Sequence, residues 1–241
     1  MNTELHDRKP ITETKTRPGI RGLLMLLALL SVCLLQPALG LPQGEEVEEG
    51  EASFSRSGDS LRITTSDKVI INYEDFSIGK EELVKFLQPG ADSAALNRVV
   101  GESTSNILGS LQANGRLLLL NPNGIIVGEG ARINARSAVL STMNISNEDF
   151  MSGDYTLTSL SESGTVKNLG TITAGQGGGV FLIAPTVKNE GTIKAPEGTI
   201  GLAGGSKVYL THDPSGHIAV QTTTRDGKAT NSGDLLSQGG S

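Results

Sequence analysis

Side chains able to do chemistry are sparse in this chain. His212 and His217 stand five apart in a stretch bearing Pro and Gly; they are read as surface histidines, and no metal or cofactor is expected. The run Gly175-Gln176-Gly177-Gly178-Gly179 lacks the Lys-Ser/Thr pair of a phosphate-cradling loop, and Val180 breaks the calcium-binding nonapeptide. Ser141-Thr142 has no Gly-x-Ser-x-Gly elbow around it, and there is no His-Glu-x-x-His. No catalytic residue is expected. What remains is Asn121-Pro122-Asn123-Gly124. Pro122 presets φ near about −65°, and Asn123 and Gly124 are residue types that tolerate positive φ.

That turn divides two apolar runs, Leu117–Leu120 and Gly124–Val127, so strand, forced turn and strand follow within a dozen or so residues. Leu61–Thr64 alternates, and Val69–Tyr73 is a β-branched run between Ser66-Asp67 and Glu74-Asp75. In Lys80–Gln88 local propensity favours a helix, but Val84 and Phe86 alternate with Lys85 before Pro89-Gly90, so the residues alone leave both open. Ala91–Asn97 could form one helical turn. Composition agrees with a thin-layered β protein: 31 Gly, no Trp and 3% aromatics leave the core to Val, Ile, Leu and Ala.

The last third shows a period. Asn168, Gly170 and Ile172 recur 21 residues later as Asn189, Gly191 and Ile193, and 42 residues further on as Asn231, Gly233 and Leu235. The copy between, near Leu210, lacks Asn-x-Gly, and Thr211–Gly216 reads as a loop or hairpin. Such a repeat, with about two short strands per copy, is a solenoid signature. Stacked at about 4.8 Å, some 200 residues would give roughly nine coils and a rod of about 45 Å. Asn168, Asn189 and Asn231 would then form an amide ladder at the turns. An N-terminal β cap is needed to protect the exposed edge.

The N-terminus reads as a targeting signal. Arg17 and Arg21 precede the 13-residue apolar run Leu23–Leu35, and Ala38-Leu39-Gly40 is a small-x-small site, so cleavage is expected between Gly40 and Leu41. The run is short for a transmembrane span. Cys33, the only cysteine, would leave with the signal. Without residues 1–40 the chain carries 15 basic and 23 acidic residues, a net charge of −8, which disfavours nucleic acid as a partner. Leu41–Glu51, with five glutamates, reads as a flexible acidic leader.

Leu117–Asn144 resembles the core of the haemagglutination-activity, or two-partner secretion (TPS), domain of filamentous-haemagglutinin-like exoproteins. The likeness extends upstream through Ile63–Lys68, Ile70–Tyr73, Phe86–Gly90 and Ala95–Val99, over roughly residues 50–160. It implies an all-β fold, a right-handed parallel β-helix of the single-stranded, pectin-lyase-like kind, with the cap at about Ser53–Tyr73 and a strand in Lys80–Gln88. The resulting division is 1–40 signal peptide, 41–52 leader, 53–160 TPS domain and 161–241 further coils.

The resemblance also implies export by the Sec translocon and recognition by an outer-membrane β-barrel transporter with periplasmic POTRA-type domains. Coil-on-coil folding at the cell surface or in the medium would follow, as a monomer, with a host-surface ligand for an adhesin-like protein. Asn121, Pro122, Asn123 and Gly124 would serve either as a purely structural turn or as part of the surface the transporter reads. Some members of that family carry a second Asn-Pro motif earlier in the domain; here Asn121-Pro122 is the only one. Two other classes stay open: a carbohydrate-active β-helix enzyme, which would need acidic and basic residues converging on one outer face, and a plain surface adhesion module. Ending at Ser241 inside a repeat, the chain reads as either a fragment of a longer exoprotein or a short member.

Overall fold

The computed structural model describes residues 40–158, 164–212, 218–222 and 227–239. The chain enters through two antiparallel strands, β1 (Glu46–Glu49) and β2 (Ala52–Ser57). It then winds through β3 (Ser60–Thr65), β4 (Val69–Tyr73), β5 (Leu83–Leu87), β6 (Ala94–Val99) and β7 (Ser105–Ile107). The next turns are β8 (Ser110–Ala113), β9 (Arg116–Leu120), β10 (Ile125–Val127), β11 (Arg132–Ala135) and β12 (Ser137–Ser141). A first excursion carries helix α1 (Asn147–Ser152) and β13 (Tyr155–Thr158). Winding resumes with β14 (Thr165–Asn168), β15 (Thr171–Ala174), β16 (Gly179–Ala184), β17 (Thr186–Asn189), β18 (Thr192–Lys194) and β19 (Thr199–Gly204). A second excursion, β20 (Lys207–His212) and β21 (Ile218–Thr222), precedes β22 (Lys228–Asn231) and β23 (Asp234–Leu236).

These strands stack into three parallel faces. The first holds β3, β5, β8, β11, β15, β18 and β23; the second β4, β6, β9, β12, β16 and β19; the third β7, β10, β14, β17 and β22. The molecule is thus a parallel β-helix of about six turns with three strands per full turn, where two were expected. Fewer coils form than the nine expected, because the two excursions and the longer corners consume chain that the 21-residue period assigned to coils.

The interior is a set of apolar columns. On the first face Leu61, Val84, Leu111, Ile133, Ile172 and Ile193 sit one above another in direct register, and all are fully buried. Full burial of one such side chain stabilises by about 1.5–3 kcal/mol. No single coil can achieve it alone, since the covering atoms belong to the neighbours.

A second apolar layer lies outside the coil. The outward column Ile70, Leu96, Leu118, Val139 and Phe181 of the second face is covered by Met143, Ile145, Phe150, Leu157, Val208 and Leu210. Those residues come from the two excursions, whose strands β13, β20 and β21 form a small antiparallel sheet. The hairpin read near Leu210 is therefore no degenerate coil: it is part of this cover. The 42-residue step from Asn189 to Asn231 is likewise one rung, because β17 pairs directly with β22.

At the N-terminal end β1 runs antiparallel on β4, and β2 antiparallel on β3. These two strands close the first coil, so the cap begins earlier than the Ser53 expected. The stretch read as a flexible leader is held in place. Glu46–Glu49 is a strand, Arg56 grips Glu45 at 2.6 Å and 3.0 Å, and it also donates to the Pro42 carbonyl at 2.7 Å. The helical turn considered for Ala91–Asn97 is absent, and Ala94–Val99 is β6, because Ala95 and Leu96 are needed in columns on opposite sides of the second face. Lys80–Gln88 contributes β5 as a strand.

Candidate functional site

The turn Asn121–Gly124 joins β9 on the second face to β10 on the third. The Gly124 N–H donates to the Asn121 carbonyl at 3.0 Å and closes it. Of the two residues read as tolerant of positive φ, only Gly124 takes one, at +114°.

Asn121 is fully buried and uses both ends of its amide. Its Nδ2 donates to the Ser103 carbonyl and to Ser105 Oγ, both at 2.9 Å. Its Oδ1 accepts the Asn123 N–H at 2.9 Å, and its own N–H donates to the Ser141 carbonyl of the next rung at 2.9 Å. Asn123 is exposed, yet its Nδ2 donates to the Gly101 carbonyl at 2.8 Å and its carbonyl accepts from Thr104 Oγ1 at 2.9 Å. The two asparagines therefore bind the corner Gly101–Thr104 of the preceding rung from inside and outside. Beside the turn lies an open groove of about 680 Å³ that includes Thr104, Pro122, Asn123, Ile126 and Lys167.

On the third face Asn168, Asn189 and Asn231 are in direct register. Asn168 Nδ2 donates to Asn189 Oδ1 at 2.7 Å, and Asn189 Nδ2 donates to Asn231 Oδ1 at 2.6 Å. The column also holds the following corner, since Asn168 Oδ1 accepts the Gly170 N–H at 3.1 Å and Asn231 Nδ2 donates to the Gly233 carbonyl at 3.1 Å. The spacing Asn-x-Gly follows from this: a Cβ on Gly191 would sit 2.2 Å from the Gly170 carbonyl oxygen of the coil before it.

Arg98 is a functional residue that no sequence motif marks. From β6 its Nε donates to Asn144 Oδ1 at 2.9 Å, and its Nη2 to the Ile145 carbonyl at 2.9 Å and Asn147 Oδ1 at 3.0 Å. Its Nη1 lies 3.5 Å from Glu48 of β1. One side chain thus ties cap, coil and first excursion together. Hydrogen bonds from Asn72 and Asn147 hold the Glu48 carboxyl below its ordinary pKa, with the nearby Arg98 charge adding to this against some desolvation. The available signal was a lone cation inside the otherwise uncharged strand Ala94–Val99.

The remaining residues singled out in the sequence lie apart. Gly40 and Leu41 are the first described residues, with Leu41 half-buried against the inner core; residues 1–39, which carry the signal reading, lie outside the described set. His212 ends β20 and His217 lies outside the described residues. Among the described residues no three His, Cys, Asp or Glu come together as a metal site would require.

A family model described as the TPS secretion domain matches residues 39–240. Two Haemophilus influenzae proteins, each named heme/hemopexin-binding protein, are similar. The one from strain Rd is 38% identical over 123 residues, covering 51% of this chain and 14% of that protein. The other is 34% identical over 137 residues, covering 56% of this chain and 15% of that protein. The match therefore spans about one seventh of those relatives. Among solved structures, the crystal structure of the HMW1 secretion domain from Haemophilus influenzae is 36% identical with a TM-score of 0.78, covering 83% of this chain and 54% of that one. None of these proteins is described as an enzyme.

Proposed function

This chain belongs to the TPS secretion domain family, and from that premise we propose that it targets an exoprotein to a cognate outer-membrane β-barrel transporter and nucleates the exoprotein's folding outside the cell. The family match over residues 39–240 carries this reading. In this scheme residues 1–40 direct passage through the Sec translocon, with cleavage between Gly40 and Leu41, and the periplasmic chain is unfolded and bound by POTRA-type domains of the transporter. Folding on the far side, one rung on the last, opposes back-sliding because a stacked coil is wider than an extended strand. Residues 53–160 act as the secretion signal, and 161–241 continue the coil. The exported protein is a monomer and adhesin-like, with a host-surface ligand.

Within the turn the roles divide by exposure. Asn121 and Gly124 shape the corner, and the exposed Asn123 with the half-buried Pro122 beside it are what a transporter can touch.

The test is release of the full chain from a Gram-negative host with and without a co-expressed partner barrel, comparing wild type with Asn123→Ala and Pro122→Ala. Release that depends on the barrel supports the reading, and equal release without it defeats it. Loss of release in either variant, with folded protein recovered from the periplasm, supports a recognition role for the turn.

A further inference from the structure

An open groove of about 610 Å³ crosses the outer side of the first face where it turns into the second. Its origin is visible in corner lengths. Two residues join β8 to β9 and one joins β11 to β12, whereas six join β5 to β6 and four join β15 to β16. The short corners leave a trough between the longer ones below and above.

A column of outward side chains in direct register, Arg62, Lys85, Gln112, Asn134, Thr173 and Lys194, runs through it, and the middle four line the groove. At about 4.8 Å per rung the column spans roughly 24 Å, with cations toward its two ends and neutral hydrogen-bonding groups between. Arg136 stands at the one-residue corner beside it, and its Nη1 is buried without a hydrogen-bond partner. The exposed Lys85 has no ion-pair or hydrogen-bond partner among the described residues. No carboxylate lines the groove, although the whole chain carries a net charge of −6. Cations in a trough without acids, in a chain that is acidic as a whole, make a local positive patch that favours an anionic occupant.

We infer that this groove binds an acidic polysaccharide, with Lys85 pairing carboxylate groups of the glycan, Arg136 adding its positive charge at the corner, and Gln112, Asn134 and Thr173 hydrogen-bonding its hydroxyls. A flat ladder of amide and hydroxyl groups repeated at each rung suits a linear polymer of sugars. Nothing in this inference depends on how the chain is exported.

The probe is a polygalacturonate oligomer, with a dextran oligomer of similar length as the neutral control, titrated against the folded chain at low and at high salt. Wild type should bind polygalacturonate and not dextran, with affinity falling as salt rises. Lys85→Glu/Arg136→Glu should weaken binding by about tenfold or more at low salt, and Lys85→Glu alone, at an exposed position, should weaken it by a smaller factor. Circular dichroism shows whether each variant retains its β structure. No binding by wild type, equal binding of dextran, or unchanged binding by Lys85→Glu would each overturn the inference. So would a double variant that keeps glycan affinity but loses barrel-dependent release, since the groove would then belong to the transporter.

Discussion

Asparagine is the residue on which the corners of this coil depend, because its amide can serve a donor and an acceptor in a backbone that has turned away from its own ladder. Asn121 and Asn123 stand two apart in one turn and make similar bonds, yet differ in exposure. Removing a buried partner leaves the desolvated groups it served unpaired, at about 1–3 kcal/mol in each case, whereas water replaces an exposed amide at little cost. Asn121→Ala strands the Ser103 carbonyl and the Asn123 N–H, so it should lower unfolding stability by roughly 2–4 kcal/mol, and Asn123→Ala by less than about 1 kcal/mol. Urea titration of both variants measures the contrast. Equal losses would mean that the turn tolerates water at Asn121 and that its burial is not what matters. The sequence showed that these residues form a turn; it could not show which amide faces inward, because that depends on the Gly101–Thr104 corner some twenty residues earlier.

At the scale of elements, the cap turns on two carboxylates. Arg56 holds Glu45 below its ordinary pKa through a direct hydrogen bond, and Asn72 does the same for Glu48. The unfolded chain therefore binds protons more readily than the folded one at these positions, and stability falls as pH falls. Their contribution is present above the ordinary value of 4.5 and is lost as pH drops through the lower folded values. β1 and β2 should consequently loosen first in acid. Amide exchange in Glu46–Ser57 should accelerate between pH 6 and pH 3, after correction for intrinsic rates, more than exchange in β9 or β12. Glu45→Gln should flatten that response, and an unchanged response would show that the Arg56 pair does not hold the cap. The glutamate-rich composition of this segment masked it in the sequence: charge predicts solvent, but strand-to-strand pairing with β4 leaves the side chains wet while fixing the backbone. The outer sheet was hidden for a related reason. Continuous runs such as Arg116–Leu120 and Gly179–Ala184 are buried on both sides. A period of 21 records what stacks along the coil and is silent about what covers it.

Across the whole molecule, the two ends of the coil are unlike. One is closed by antiparallel strands, and the other presents β22 and β23, with Leu235 41% and Leu236 50% exposed. In a solenoid each rung is stabilised by its immediate neighbours, so opening free energy varies along the axis instead of being shared evenly. Rungs containing β9, β12 and β16 have a neighbour on each side and, on the second face, the outer sheet as well. Hydrogen exchange at neutral pH should therefore run from slowest in those strands to fastest in β22 and β23, with the cap between. A uniform rate along the axis would mean that the coil opens only as a single unit, and would remove the physical basis for rung-by-rung folding during export. A gradient gives that process its direction: a chain that emerges cap first has a protected edge before its second rung forms, and every later rung adds to a surface already fixed.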